Sequence, residues 1–249
     1  MRKLISGMLF VAMLVIGTLL VCPAQAELKG AEADLEKGWQ NLDTALLDKT
    51  LKVFEEMAKK NPKDHLAPYN AARAHFAIAD CLDIKSSEEF DKSGKSDTHI
   101  DAGMALIDTA IGLKEDNPAA HALKFHLIRR KMLHVSFPGL MMYISSRRAA
   151  ADRAIELAPK DPDCQYIAAL QETEGTWPPP APEESSAVFA GLLKQNPKMA
   201  AAAYEMGVTW EKAKKMDEAV KHYKKALELD ANHHWAKKKL KGLAVSNGA

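Results

Sequence analysis

The sequence predicts an all-α chain, an α-solenoid of about five helical hairpins followed by a C-terminal capping helix. Three observations predict it. The stretch Ala200–His233, AAAAYEMGVTWEKAKKMDEAVKHYKKALELDANH, holds two helical patterns parted by the polar run Lys212–Asp217. Its small and apolar residues fall at Ala203, Gly207 and Trp210, then at Ala219, Val220, Tyr223, Ala226 and Leu227. Spacings of three and four put each set on one helical face. The same arrangement opens the chain at Ala31, and Asn-Pro pairs at Asn61-Pro62, Asn117-Pro118 and Asn196-Pro197 punctuate what lies between. Proline disfavours helix in the residue before it, so each pair marks a stop. A single hairpin cannot bury its own stripe, so such units stack.

Residues 1–26 are expected to precede this domain and not to join it. Arg2 and Lys3 lead into an uncharged apolar run, Leu4–Val21, and then Pro23-Ala24-Gln25-Ala26. A basic start, a hydrophobic stretch and a small-x-small exit read as a secretory signal peptide cleaved before Glu27. The run also has the length of a membrane span, about 17–25 residues, so an uncleaved anchor stays open. Lipid attachment at Cys22 is a third option, but Val21 stands where a small residue is usual. The expectation is an exported chain, periplasmic or secreted, touching membrane only through an uncleaved leader or a lipidated Cys22.

Residues 27–249 then divide into units at about 31–64, 65–118, 119–161, 162–199 and 200–233, with a capping helix at 234–246. In the first, Leu35, Gly38, Trp39 and Leu42 form one stripe and Leu47, Leu51, Phe54 and Met57 the next, with Gly38 placed as Gly207 is. The second opens with HLAPYNAARAHFAIADCL. The polar stretch KSSEEFDKSGKSDTH then reads as an inserted loop, and helix resumes near Ile100 and runs through Gly103, Ile107 and Ala110. The third joins AAHALKFHLIRRKMLH to RRAAADRAIELAPKDP through a turn at Phe137-Pro138-Gly139. Its LMMYISS is so apolar that burial on most sides, or contact with a partner, is expected. In the fourth, DCQYIAALQETEG and SSAVFAGLLKQNP flank TWPPPAPEE, whose prolines make a stiff extended segment. The last helix, HHWAKKKLKGLAV, is basic and amphipathic, and its lysines suit the polar outer face of a terminal cap.

Composition narrows the function classes. Lys and Arg number 34 against 33 Asp and Glu, a net charge of +1. Loss of the leader, with two basic groups and no acid, takes the balance to −1. Nothing in that balance favours nucleic acid or an anionic membrane. Cys81 and Cys164 sit about two repeats apart, too far for a disulfide in a stack, and read as separate core thiols. There is no GxSxG, HExxH, glycine-rich phosphate loop, CxxC or CxxCH. His121 and His126 point to different helical faces, His233 and His234 are adjacent, and His75 and His134 are isolated. No metal site, cofactor or catalytic residue is expected. Arg129-Arg130-Lys131 reads as one solvated helix side.

The Ala200–His233 hairpin resembles a tetratricopeptide repeat, with Ala203, Gly207, Trp210, Ala219, Tyr223 and Ala226 at signature positions. It departs from the pattern at Ala231, where proline is usual. The resemblance implies a right-handed superhelix whose first helices line a concave groove. Carried over by position, the fifth places hold Leu35, Tyr69, Leu123, Tyr166 and Tyr204. The ninth hold Trp39, Arg73, Leu127, Leu170 and Val208. The twelfth hold Leu42, Phe76, Arg130, Thr173 and Glu211. Asn70, Arg73, Arg130 and Lys131 are the polar grips available there. The Lys and Asn pattern of family members that clamp a peptide carboxylate is not reproduced. An aromatic stripe at helical spacing suits internal packing equally well, so each tyrosine is open to either role. The function expected is a non-enzymatic scaffold or assembly factor that holds another protein or peptide of the cell envelope. The alternative is a ligand-binding accessory of a solute transporter, similar to the T components of tripartite periplasmic transporters.

Overall fold

Narrow apolar stripes on paired helices leave each hairpin with two faces to cover, and stacking covers them. The computed structural model describes residues 23–246, among which eleven helices and no strand occur. They form five hairpins: α1 (Pro23–Gln40) with α2 (Thr44–Lys60), α3 (Leu66–Lys85) with α4 (Lys95–Leu113), α5 (Pro118–His134) with α6 (Met141–Leu157), α7 (Pro162–Glu174) with α8 (Pro182–Gln195), and α9 (Ala200–Lys212) with α10 (Met216–Leu229). Helix α11 (His234–Ser246) follows. Each helix packs on the next, and α1, α3, α5 and α7 also touch in series. The first helices therefore make one wall of an α-solenoid. The apolar run Leu4–Val21 and Cys22 lie outside the described residues, and Pro23–Ala26 is the first turn of α1.

The core is a row of four clusters along the stack. Leu35, Leu47, Phe54 and Ile78 join α1, α2 and α3. Ile100, Ile107, Leu123 and Leu127 join α4 and α5 to Ala72 of α3. Phe125, Ile167, Leu170 and Phe189 continue it to Ala202 of α9. Tyr223, Ala226 and Ala236 finish it on α10 and α11. This is the quasi-one-dimensional core of a repeat protein, where each unit depends on its neighbours.

Local signals act as the residues dictate. Asp43, Asn117 and Asp161 accept hydrogen bonds from the first-turn amides of α2, α5 and α7 at 3.0, 3.1 and 2.9 Å. Pro118, Pro162 and Pro182 occupy first helical positions; Asn117-Pro118 starts α5, whereas α4 has already ended at Leu113 with Lys114 as its cap. Gly207 permits the close approach expected of it. A Cβ there would stand 2.5 Å from the Tyr223 ring, which is fully buried.

Two expectations are corrected. Helix α4 begins at Lys95, not near Ile100, because Gly94 turns the chain at a φ of 80° and Asp91 accepts from the Ser96 amide at 3.1 Å. The insertion is therefore 86–94. LMMYISS is not buried on most sides: it is the start of α6, with Met141, Met142 and Ile144 exposed, since the packed part of that helix begins at Arg147. Cys81 and Cys164 are unpaired and buried in different clusters. Among the described residues, no helix is long and apolar enough to cross a membrane.

Candidate functional site

The wall of first helices encloses a cavity of about 1390 Å³. Eleven of the positions singled out from the sequence line it: Trp39, Tyr69, Arg73, Phe76, Leu123, Arg130, Tyr166, Thr173, Tyr204, Val208 and Glu211. Leu35, Leu42, Asn70, Leu127, Lys131 and Leu170 do not. Leu35, Leu127 and Leu170 are fully buried in the clusters between helices, where a one-position rotation of the stripe sends them. Asn70 is buried between α1 and α3, donating to Glu32 at 3.0 Å and accepting from Arg73 at 2.9 Å.

An aromatic run crosses four successive first helices. Trp39 meets Phe76 edge-on at 5.7 Å, Phe76 lies 6.5 Å from His126, and His126 stacks on Tyr166 at 6.1 Å. Tyr204 continues it against Tyr223 and His233 at 5.5 and 5.0 Å. The hydroxyls of Tyr69 and Tyr204 have no hydrogen-bond partner among the described residues, and neither is sealed from solvent. Burial pushes both phenols above their usual range, so they stay neutral donors. Such rings offer an apolar body and a polar tip to whatever enters.

The arginines facing the cavity are paired. Arg129 donates to Glu174 at 2.7 and 3.1 Å and to Glu205 at 3.0 Å, while Tyr166 donates to Glu205 at 2.7 Å. Arg147 adds a bond to Glu174 at 3.1 Å. Burial would raise the Glu174 carboxyl, but the adjoining Arg129 guanidinium outweighs it and holds the group down at about 2. Arg130 bonds Asp80 at 2.7 Å, and Arg73 pairs with Glu36. Every arginine lining the cavity thus has a carboxylate partner. That leaves no unpaired arginine cluster for a polyanion.

The run Arg129-Arg130-Lys131 is accordingly not a solvated helix side. Arg129 and Arg130 turn into the cavity, and Lys131 is buried against Asp97 and Asp101 at 2.7 and 2.9 Å. Histidines that look isolated in sequence also find partners. His75 meets His99 with 2.9 Å between their Nδ1 atoms, and His134 contacts Asp83 at 3.2 Å. Among the described residues no three His, Cys, Asp or Glu side chains converge as a metal site would require.

Sequence reasoning missed Asp80, Glu174, Glu205 and Trp235. Asp80 accepts from the indole of Trp39 at 2.9 Å, from that of Trp235 at 2.7 Å, and from Arg130. Trp235 reaches it from α11, 155 residues away. The lysines of α11 do not all face outward as a cap requires. The Lys238 ammonium sits among the carbonyls of Asp83, Ser86, Glu88 and Glu89, all within hydrogen-bond distance, and Lys239 donates to Glu211 and Glu89. The last helix closes back over the first units.

Residues 200–233 match the family model of the tetratricopeptide repeat. No curated protein matches the chain by sequence. Among solved structures, TTC0263, a thermophilic protein of the same repeat type from Thermus thermophilus, is similar with a TM-score of 0.58 and 15% identity, over 84% of this chain and 99% of that one. The human IFIT1 dimer with m7Gppp-AAAA is similar with a TM-score of 0.57 and 14% identity, over 88% of this chain and 46% of that one. Identities this low speak to fold alone. The chain therefore has the helical-repeat scaffold of tetratricopeptide-repeat proteins, and its residues 200–233 carry a repeat that the family model recognises.

Proposed function

We propose that this chain is an exported, non-enzymatic scaffold that takes a segment of a partner polypeptide of the cell envelope into its concave cavity. The observation that carries the reading is the aromatic run Trp39–Phe76–His126–Tyr166, open to a cavity whose arginines are already neutralised. A guest there gains apolar contact and hydrogen bonds from the Tyr69 and Tyr204 hydroxyls rather than charge pairing. The cavity exceeds the roughly 300–1,000 Å³ of ordinary small-molecule sites, which favours a chain segment over a transporter's solute. Leu133 and Pro179 line the cavity, and Phe137, Met142 and Trp177, which lie near them in the sequence, are 73%, 79% and 92% exposed, an apolar surface that suits the same guest. The stretches 135–146 and 175–182 carry no charge.

A photo-crosslinking residue at Val208, on the cavity wall, tests this in the producing cell. One discrete polypeptide is expected to be captured, and Tyr69→Ala should abolish capture while leaving the helical circular-dichroism signal intact. Capture that survives this change, or thermal shifts with organic acids or lipids in place of capture, would count against a peptide guest. Export is checked by the mass of the purified chain, which should begin at Glu27.

A further inference from the structure

We propose that α11 is a displaceable occupant of the cavity. Trp235 fills a subsite made by Asp80, Arg130 and Phe90, and a partner segment offering its own indole takes that place and frees the N-terminal half of the groove. This rests on the reading that the cavity holds a partner segment.

The subsite is a complete recognition site for an indole. The Trp235 Nε1–H donates to Asp80 Oδ1 at 2.7 Å. The Arg130 guanidinium lies 4.7 Å from the ring centroid while bonded to the same carboxylate oxygen at 2.7 Å. The Phe90 ring stands 6.0 Å away, and Lys238 lies 5.5 Å from the ring. A cation over an indole and a charged acceptor for its N–H are each favourable. Asp80 binds a second indole, that of Trp39, through its other oxygen, so this carboxylate is built to receive such donors.

Stacking does not need the contact. The apolar side of α11, through Ala236, Leu240 and Leu243, is anchored on the cluster shared by α9 and α10. Toward α1 and α3 it offers polar and ring contacts in place of a buried aliphatic cluster. His234 bonds the Gln40 carbonyl at 2.9 Å, and Lys238 bonds the carbonyls of Ser86, Glu88 and Glu89 at 3.1, 2.7 and 3.1 Å. A second cavity of about 330 Å³, lined by Glu36, Asp230, His234 and Trp235, separates α11 from α1, so this seam is loosely filled. Water replaces the exposed bonds when the seam opens, and a guest indole restores a partly buried pairing that water serves poorly, at Asp80. Trp235 itself lines the main cavity, so its removal enlarges the space a partner enters.

The test uses the full mature chain and its Trp235→Ala and Trp235→Phe variants, with N-acetyl-tryptophanamide as probe and N-acetyl-phenylalaninamide as control. Trp235→Ala should bind the tryptophan probe saturably and at least about tenfold more tightly than the unaltered chain. Adding Asp80→Asn should weaken that binding about tenfold or more. Trp235→Phe keeps a ring but loses the N–H, and should speed hydrogen exchange at α11 and 86–94 without changing overall helicity. The proposal is overturned if a folded Trp235→Ala chain binds no probe, if Asp80→Asn makes no difference, or if both variants exchange at the unaltered rate. Partner capture separates the two readings. Loss of capture in Tyr69→Ala with an inert seam removes only the clasp, whereas probe binding without any partner capture removes only the peptide guest.

Discussion

Arg129→Ala is the change from which the most can be learned. In the unaltered protein Arg129 serves two carboxylates, Glu174 at 2.7 Å and Glu205 at 3.0 Å, and links first helices of three successive hairpins. Once it is gone, Glu174 keeps Arg147 at 3.1 Å, but Glu205, 3% exposed, keeps only the Tyr166 hydroxyl. A buried charge left without its partner costs about 3–5 kcal/mol, or roughly 6–20 °C of melting temperature for a chain of this size. A second route gives a similar size. The Glu174 carboxyl sits at about 2 instead of its ordinary 4.5, which amounts to about 3 kcal/mol at neutral pH. Because the folded value is the lower one, this stability is present above pH 4.5 and disappears as the pH falls toward 2. Urea unfolding followed by circular dichroism at pH 7 and pH 3 measures both effects. Arg129→Ala should lose most at pH 7 and much less at pH 3, and Arg129→Ala with Glu205→Gln should recover a large part of the neutral-pH loss. Equal stability of the single and double variants, or a deficit indifferent to pH, would show that no stranded carboxylate is responsible.

Gly207→Ala should destabilise by about 1–2 kcal/mol, because the 2.5 Å approach to the fixed Tyr223 ring outweighs the helix preference for alanine; thermal melts check it, and Tyr223→Leu in the same chain should relieve it. His75 is held down at about 4 by burial and then by His99, so the folded state resists its protonation. Stability of about 3 kcal/mol should fade as pH drops from 6.5 toward 4, and His75→Leu should flatten that slope in urea titrations between those values. Burial pushes the thiols of Cys81 and Cys164 up to about 12 and about 11, so both should resist a thiol-specific dye in the native chain at pH 8 and react once urea unfolds it.

The fold was legible because its rules are local. Gly207 facing Tyr223, Asn117 capping a helix that Pro118 begins, and stripes at spacings of three and four all act within one hairpin, so a single sequence displays them. The aromatic floor was legible for the same reason: Tyr69, Tyr166 and Tyr204 recur at one repeat position, and the stack brings them to one wall. Within a first helix, however, the boundary between floor and core is a rotation of about 100° per residue. That is why Tyr69 lines the cavity while its neighbour Asn70 is sealed behind it, and why Leu127 and Leu170 went to the core.

Polar pairs between units obey no such local rule. Arg129 finds Glu205 76 residues on, and Trp235 finds Asp80 across 155. In the sequence these acids and bases look like any solvated helix side, since their partners are fixed by superhelical curvature and not by spacing along one helix. The dependence also runs the other way. A carboxylate buried at 3% exposure is tolerable only if its cation arrives in register, so the Arg129–Glu174–Glu205 set favours the one curvature that completes it. That curvature brings α11 back to α3. If loosening the arginine network also frees Trp235, the ions that hold the wall and the indole that closes it are parts of one mechanical unit. Hydrogen exchange at α11 in the Arg129→Ala chain should then rise although Arg129 bonds Glu174 and Glu205 and it is its neighbour Arg130 that touches Trp235, and unchanged exchange there would show the arginine network and the α11 contact to be independent.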